Sequence, residues 1–237
     1  MMKNITSVAV LGLLLAGCGA TAADSAPIED EAGFRTRCRA ELLETHPQAA
    51  SWADAHCADR WQWAGNAGPI ADALLALAPE AGGTVTADMR ERLTAVQWSS
   101  ATEGKLGDLT VTLSEGGGIS FHWRKQGGEV PYDLIQALRI RGVTLESLGC
   151  PRYPMASMGQ EKVMIAKAEG RAPFVLTVYG RFAPTGSEYA LYDVDADFDG
   201  VIPDNAALAA GRYPGGGGRA FAGEPTGWMN TCPDPVS

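Results

Sequence analysis

The spacing of apolar residues changes once along this chain of 237 residues, and the change divides it into two structural classes. Up to about residue 98, apolar residues recur every three or four positions, as Phe34, Cys38 and Leu42 do. That period places them on one face of a helix. From about residue 106 the period becomes two, which is typical of a strand with one buried face. The sequence therefore predicts an α+β fold: a helical N-terminal part followed by an antiparallel sheet with helices on one face.

Residues 30–98 are predicted to form a helical subdomain. Pro47 is placed to begin the second helix, because proline fits the first turn of a helix. Residues 65–68 are expected to break that helix, and Pro69 to begin a third, since proline disrupts a helix interior. Thr86 is expected to cap a fourth helix. The buried positions of that fourth helix would be Met89, Leu93 and Val96.

Residues 99–237 are predicted to form an α+β domain built on the antiparallel sheet. Two runs of alternating apolar residues, 109–113 and 119–123, flank a glycine-rich turn and predict a hairpin. Further elements are expected in the order helix 131–141, short helix 144–148, strands 162–168, 173–182 and 188–194, and an alanine-rich helix after Asp204.

The first residues indicate export. A single lysine, Lys3, precedes a short apolar run that ends in Leu15-Ala16-Gly17-Cys18. A charged start, an apolar stretch and small residues describe a signal peptide. The run is shorter than the roughly 20 residues that cross a bilayer. The last four residues resemble the lipobox of bacterial lipoproteins. This resemblance implies that residues 1–17 are removed and that Cys18 is lipidated. The alternative is an ordinary signal peptide with a chance cysteine.

Residues 18–29 are small and polar, and we expect a flexible tether there. Gly19 follows the cysteine, which by resemblance to lipoproteins of Gram-negative enterics implies the outer membrane, facing the periplasm. Anchoring in the inner membrane is the alternative. The whole chain is similar to exported proteins of alphaproteobacteria. The order of elements after residue 131, with the stretch at 142–149, resembles small outer-membrane-assembly lipoproteins. Neither resemblance implies an activity.

Setting Cys18 aside leaves four cysteines, and an even number in an exported chain indicates disulfide bonds. Three pairings are open. We favour Cys38–Cys57, because these residues flank the turn predicted at residues 45–47 at similar distances. Cys150–Cys232 is then the second bond. Zinc is a weak alternative, because no Cys-x-x-Cys spacing is present.

The balance of charges limits the partners. Aspartate and glutamate number 28 against 19 lysines and arginines, a net charge of −9. This argues against a nucleic-acid surface, which needs a basic patch. A cationic partner is compatible with the acidic surface.

One acidic run suggests a metal hypothesis. Asp195, Asp197 and Asp199 match alternate ligand positions of a calcium loop, with a glycine directly after them. The match fails at Ala206, where such loops place a bidentate glutamate. The competing interpretation is an edge strand with Asp193, Asp195 and Asp197 on its solvated face. Calcium is the only cofactor that the sequence suggests.

The sequence assigns no catalytic residue. The histidines are His46, His56 and His122, and no Gly-x-Ser-x-Gly motif accompanies them. We therefore expect a membrane-anchored periplasmic lipoprotein that serves as a non-catalytic binding or envelope-maintenance module. Its expected partners are the membrane, through the anchor, and either an envelope protein or a cationic partner. The alternatives are a hydrolase that acts on envelope polymers and an inhibitor of a cationic hydrolase.

Overall fold

The computed structural model describes residues 28–83, 89–114, 117–125, 130–152, 160–181, 190–217 and 227–232. The predicted signal peptide, Cys18 and Thr86 lie outside these residues. The helices in the described part are α1 (Glu31–Thr45), α2 (Ala53–Leu77), α3 (Met89–Arg92), α4 (Val130–Ile140) and α5 (Asn205–Ala209), with a 3₁₀ turn at Pro47–Ser51. The strands are β1 (Gln97–Trp98), β2 (Glu103–Leu106), β3 (Leu109–Leu113), β4 (Gly118–Lys125), β5 (Thr144–Pro151), β6 (Gln160–Lys167), β7 (Phe174–Arg181), β8 (Ala190–Asp197) and β9 (Trp228–Met229).

These strands form one antiparallel sheet in the order β1-β2-β3-β4-β8-β7-β6-β5-β9. Strands β1–β4 and β5–β8 are two four-stranded meanders, and they meet where β4 pairs with β8. Helices precede the first meander, and α4 precedes the second. The chain thus runs twice through the order of helix and then meander. The predicted α+β class, with an antiparallel sheet and an N-terminal helical part, is confirmed.

The predicted hairpin is present, with Val111 of β3 opposite Phe121 of β4. The three later strand predictions correspond to β6, β7 and β8. The short helix expected at 144–148 is wrong, because this segment is strand β5 and pairs with β6. Gly142 has φ +75° and ends α4, as glycine does at many helix C-termini. The backbone that follows finds its hydrogen-bond partners in the neighbouring strand.

A second correction concerns α2, which runs unbroken through residues 65–68 and contains Pro69. Proline there lacks the N–H that would bond the Gly65 carbonyl, and an interior proline costs about 3 kcal/mol. The buried face continues on both sides of it, from Ala64 and Ala67 to Ile70 and Leu74. Packing of this continuous face in the core, mainly against α4, outweighs the local preference to break.

Among the residues that the structure describes, the predicted fourth helix is the single turn α3. Met89, Leu93 and Val96 are buried, but the last two lie in the turn that leads into β1. The helical signal came from their spacing. In the structure, that spacing is produced by a turn in which the Val96 N–H donates to the Leu93 carbonyl, 3.0 Å apart.

One hydrophobic core joins the helices to one face of the sheet. Leu74 of α2 and Leu134 of α4 are fully buried in it together with Phe121 and Leu176 from the sheet. Burial of each such side chain contributes about 1.5–3 kcal/mol. Among the described helices, none combines the length and apolar character that a membrane span requires.

Two disulfide bonds link cysteines of the described residues, and their pairing is the one favoured from the sequence. Cys38 of α1 is bonded to Cys57 of α2, and Cys150 of β5 is bonded to Cys232. The second bond follows β9, which pairs with β5. Gly149 has φ +135°, and a Cβ there would lie 2.4 Å from the Met229 carbonyl oxygen. Glycine is therefore needed where the C-terminal strand approaches β5.

Candidate functional site

The sheet has a second face, opposite the core, because side chains alternate along each strand. Ile119 and Phe121 of β4 lie in the core, as do Val194 and Ala196 of β8. The residues between them lie on the other face, which we call the polar face. Its members on these two strands are Ser120, His122, Asp193, Asp195 and Asp197. The three aspartates therefore share one strand face, as predicted. The expected edge position and solvated face are wrong, because β8 pairs with both β4 and β7 and Asp195 is buried.

Two pairs of side chains cross from β4 to β8 on the polar face. Ser120 is in register with Asp195, and its Oγ donates to Asp195 Oδ1 at 2.5 Å. His122 is in register with Asp193, and its Nδ1 bonds Asp193 Oδ1. The His122 side chain is 48% exposed, whereas Asp195 is buried. If Nδ1 carries the proton, the neutral imidazole keeps Nε2 as an acceptor.

The His122 row continues across two more strands. Asp193 is opposite Tyr179 of β7, and Tyr179 is opposite Glu161 of β6. Partners in register across a sheet are side-chain neighbours. Tyr179 and Glu161 are both buried, so the row leads from an exposed imidazole into an enclosed acidic position.

Tyr213, which follows α5, closes the buried end of this row. Burial raises the pKa of the Tyr213 phenol well above its usual value, and the charge of Glu161 and a hydrogen bond with it act in the same direction. The phenol therefore stays protonated and donates to Glu161. Thr177 lies between Val163 and Asp195 in the adjacent row, and its buried Oγ1 has no hydrogen-bond partner among the described residues.

The C-terminal segment covers one side of the polar face. Leu208 of α5 packs on Val163 and Val175, and the rings of Tyr213 and Trp228 lie 5.6 Å apart nearby. This cover lies over β5–β7. The accessible part of the site is on the β4–β8 side, around His122.

The acidic run after β8 forms turns. The Asp199 N–H donates to Asp197 Oδ1 at 3.0 Å, and the Val201 N–H donates to Asp199 Oδ1 at 2.7 Å. Asp204 caps α5 by accepting from the Ala207 N–H. Burial raises the pKa of Asp197, partly offset by hydrogen bonds from backbone N–H groups. These carboxylates serve as local acceptors, as aspartates commonly do in turns.

The calcium candidates are therefore not brought together. Asp195 accepts from Ser120 on the sheet face, whereas Asp197 and Asp199 accept from turn backbone. Within the described ranges, no group of three or more His, Cys, Asp or Glu side chains could hold a metal ion.

The other two histidines lie in the helical part. His46 ends α1 and bonds Thr45 Oγ1 through Nδ1 at 2.9 Å. His56 contacts the Trp52 ring edge-on and bonds Arg60. Neither lies on the polar face, and the contacts of both are with neighbouring residues of the helical part.

The arrangement is rich in hydrogen-bond acceptors and fits a cationic ligand better than catalysis. Because the Ser120 hydroxyl donates to Asp195 and not to an imidazole, a Ser-His-Asp relay is not assembled here. Asp193, whose side chain is 23% exposed, could instead accept charge-assisted hydrogen bonds from lysine or arginine.

Sequence reasoning missed Ser120, Thr177, Tyr179 and Glu161 as members of the site. The alternation of apolar and polar residues over 119–123 placed Ser120 and His122 on the same face of β4, and this could have suggested that Ser120 belongs to the site. The pairing of β4 with β8 could not be predicted, because the spacing of residues along the chain does not encode the order of strands in a sheet.

 Ser120 and Asp195 are 75 residues apart in the chain, and only the meeting of the two meanders makes them neighbours.

No protein-family model, curated protein or solved structure matches the chain. Its function is therefore inferred from its own residues.

Proposed function

We propose that the protein is a lipoprotein of the bacterial envelope, anchored through acyl chains on Cys18 and facing the periplasm from the outer membrane. The motif at residues 15–18 and the export signal before it support this address. Two disulfide bonds within the chain fit an oxidising compartment. Two or three acyl chains hold a protein stably on a bilayer.

The function that the polar face supports best is non-catalytic binding of a cationic partner, such as a lysine- or arginine-rich segment of another envelope protein. One observation carries this proposal: Asp193 is 23% exposed, is held by His122 across the β4–β8 pair, and lies beside an imidazole that is 48% exposed. Carboxylates held in place by neighbouring side chains are preorganised acceptors for ammonium or guanidinium groups. The net charge of −9 would also speed the approach of such a partner.

Crosslinking in the native envelope, followed by quantitative mass spectrometry, tests the binding proposal. We expect Asp193→Asn to lower the recovery of a partner with a basic segment several-fold at equal protein levels. Asp54→Asn is the matched control, because Asp54 is an exposed acid on α2 that pairs with Arg39, away from the polar face. Purified partner should bind more weakly as salt rises. Recovery that is unchanged by Asp193→Asn, or binding that ignores salt, would contradict the proposal.

The anchor has its own test. The intact mass of protein from the native host should equal residues 18–237 plus the acyl chains, and Cys18→Ala should abolish labelling by a clickable fatty acid. An unmodified mass, or labelling that survives Cys18→Ala, would remove the anchor from the proposal.

A hydrolase acting on envelope polymers is the second candidate, and the His122–Asp193 pair favours it. A carboxylate on one ring nitrogen orients an imidazole whose other nitrogen can act as a general base. Release of soluble fragments from purified peptidoglycan is the assay, with His122→Gln as the test variant and His46→Gln as the control. Activity that depends on His122 alone would favour the hydrolase, and no activity in the native protein would exclude this substrate.

A further inference from the structure

Large apolar side chains are exposed at only a few positions in the described part of the chain. Four stand out: Ile28 is 68% exposed, Val201 66%, Ile202 46% and Trp52 44%. Single exposed apolar residues are ordinary, but a group at one end of a molecule indicates a contact surface. The first three of these residues lie at the same end.

The strand register defines that end. Thr144, where β5 begins, is opposite Lys167, where β6 ends. Asp197, where β8 ends, is opposite Val175 near the start of β7 and Gly118 at the start of β4. Val201 lies four residues after the end of β8, and Ile202 follows it. The turns built on Asp197 and Asp199 connect them to the strand.

The tether reaches the protein body at this same end. The Glu29 N–H donates to the Ile140 carbonyl at 2.8 Å, and Ile140 is the last residue of α4, just before β5 begins. Arg37 of α1 holds the Glu29 carboxylate at 2.7 Å. These two contacts fix Ile28 beside the start of β5. We call this region, defined by Ile28, Val201 and Ile202, the tether end.

We propose that the tether end rests on the lipid bilayer and that Val201 and Ile202 enter its headgroup boundary. The inference rests on the proposed anchoring at Cys18. Cys18 and Ile28 are ten positions apart in the sequence, a span of about 35 Å at most. The anchor therefore keeps the tether end near the membrane at a high effective concentration. At a high effective concentration, Val201 and Ile202 can contact the bilayer for much of the time even if their own affinity for it is weak.

The charges in the loop that carries Val201 and Ile202 indicate which lipids this loop meets. Asp199 and Asp204 flank the apolar pair, and they accept hydrogen bonds from the backbone N–H groups of Val201 and Ala207. Lys167 at the end of β6 is paired with Glu146 at 2.6 Å. The loop that carries Val201 and Ile202 is therefore acidic. Anionic headgroups would repel it, so the surface it fits is a zwitterionic one.

Photocrosslinking tests the contact directly. The full lipidated chain, with a diazirine amino acid at position 201, is reconstituted into phosphatidylcholine vesicles and irradiated, and phospholipid adducts are measured by mass spectrometry. The control carries the same amino acid at position 52. Trp52 follows the far end of α1, a helix of 15 residues and therefore about 22 Å from the tether end. We expect several-fold more lipid adduct at position 201 than at position 52.

A second comparison uses lipid charge. Replacing part of the phosphatidylcholine with phosphatidylglycerol at low salt should reduce the adduct at position 201, and added salt should restore it. Flotation on a density gradient shows whether the protein is bound to the vesicles. If the protein floats with the vesicles but gives equal adduct at both positions, or none at position 201, the contact is refuted and the proposed anchor is not. A chain that does not float with the vesicles would refute the anchor and, with it, this inference.

Discussion

Helix α2 continues through two glycines and a proline, and the substitution Gly65→Ala tests whether it does so in solution. Neither Gly65 nor Gly68 is among the glycines with positive φ, so both positions suit an L-residue. Gly65 is exposed, and a Cβ there would meet no atom within 4 Å. If the helix is continuous, alanine at this position stabilises the folded state.

The expected gain is about 1 kcal/mol, the difference between alanine and glycine in a helix interior. Gly68→Ala is the matched control, three residues further along the same helix. A Cβ at Gly68 would lie 3.0 Å from Arg141 Nη2, and the Arg141 guanidinium bonds Asp72. Displacing that group offsets the helical gain, so we expect Gly68→Ala to gain clearly less than Gly65→Ala.

Urea unfolding of the oxidised chain, followed by tryptophan fluorescence, measures both variants. An unchanged m value with a higher midpoint indicates a change in stability alone. In a chain of this size, 1 kcal/mol corresponds to about 2–4 °C in Tm. If residues 65–68 instead formed a turn between two helices, Gly65→Ala would lower stability, and the assignment of one continuous α2 would be refuted.

Three further predictions concern stability. Cys38→Ser together with Cys57→Ser opens a bond of sequence separation 19 and should cost about 3 kcal/mol in urea unfolding, whereas an unchanged midpoint would contradict this. Asp133→Ala removes a buried carboxylate that lies 4.0 Å from the Arg60 guanidinium, and should cost about 3–5 kcal/mol; a loss below 1 kcal/mol in the same assay would argue against a buried ion pair. The raised pKa of Asp197 means that its charged form is disfavoured in the folded protein, so its contribution is favourable at low pH and is lost as pH rises through the folded pKa. Asp197→Asn should therefore raise the midpoint at pH 7 and lose that advantage below the pKa of an unfolded aspartate, and an advantage that persists at acid pH would contradict the cause.

The candidate site was only partly predictable. The alternation of residues 119–123 and the acidic run after residue 190 placed His122 and the aspartates on strand faces. Their partners were not predictable, because Ser120 meets Asp195 only where β4 and β8 pair. Glu161 and Tyr179 offered no signal of their own, since a polar residue in a buried strand has no characteristic spacing.

By itself, the sequence determined the local elements whose periodicity was strong, such as the hairpin of β3 and β4 and the helix that carries Leu134. Cysteine number and the predicted turn near Pro47 also indicated the first disulfide bond. Tertiary structure decided the continuity of α2 and the strand state of β5. Local propensity is worth at most a few kcal/mol per segment, and burial of a continuous apolar face or pairing with a neighbouring strand outweighs it. The polar face is likewise a product of topology, because it exists only where two meanders distant in sequence meet.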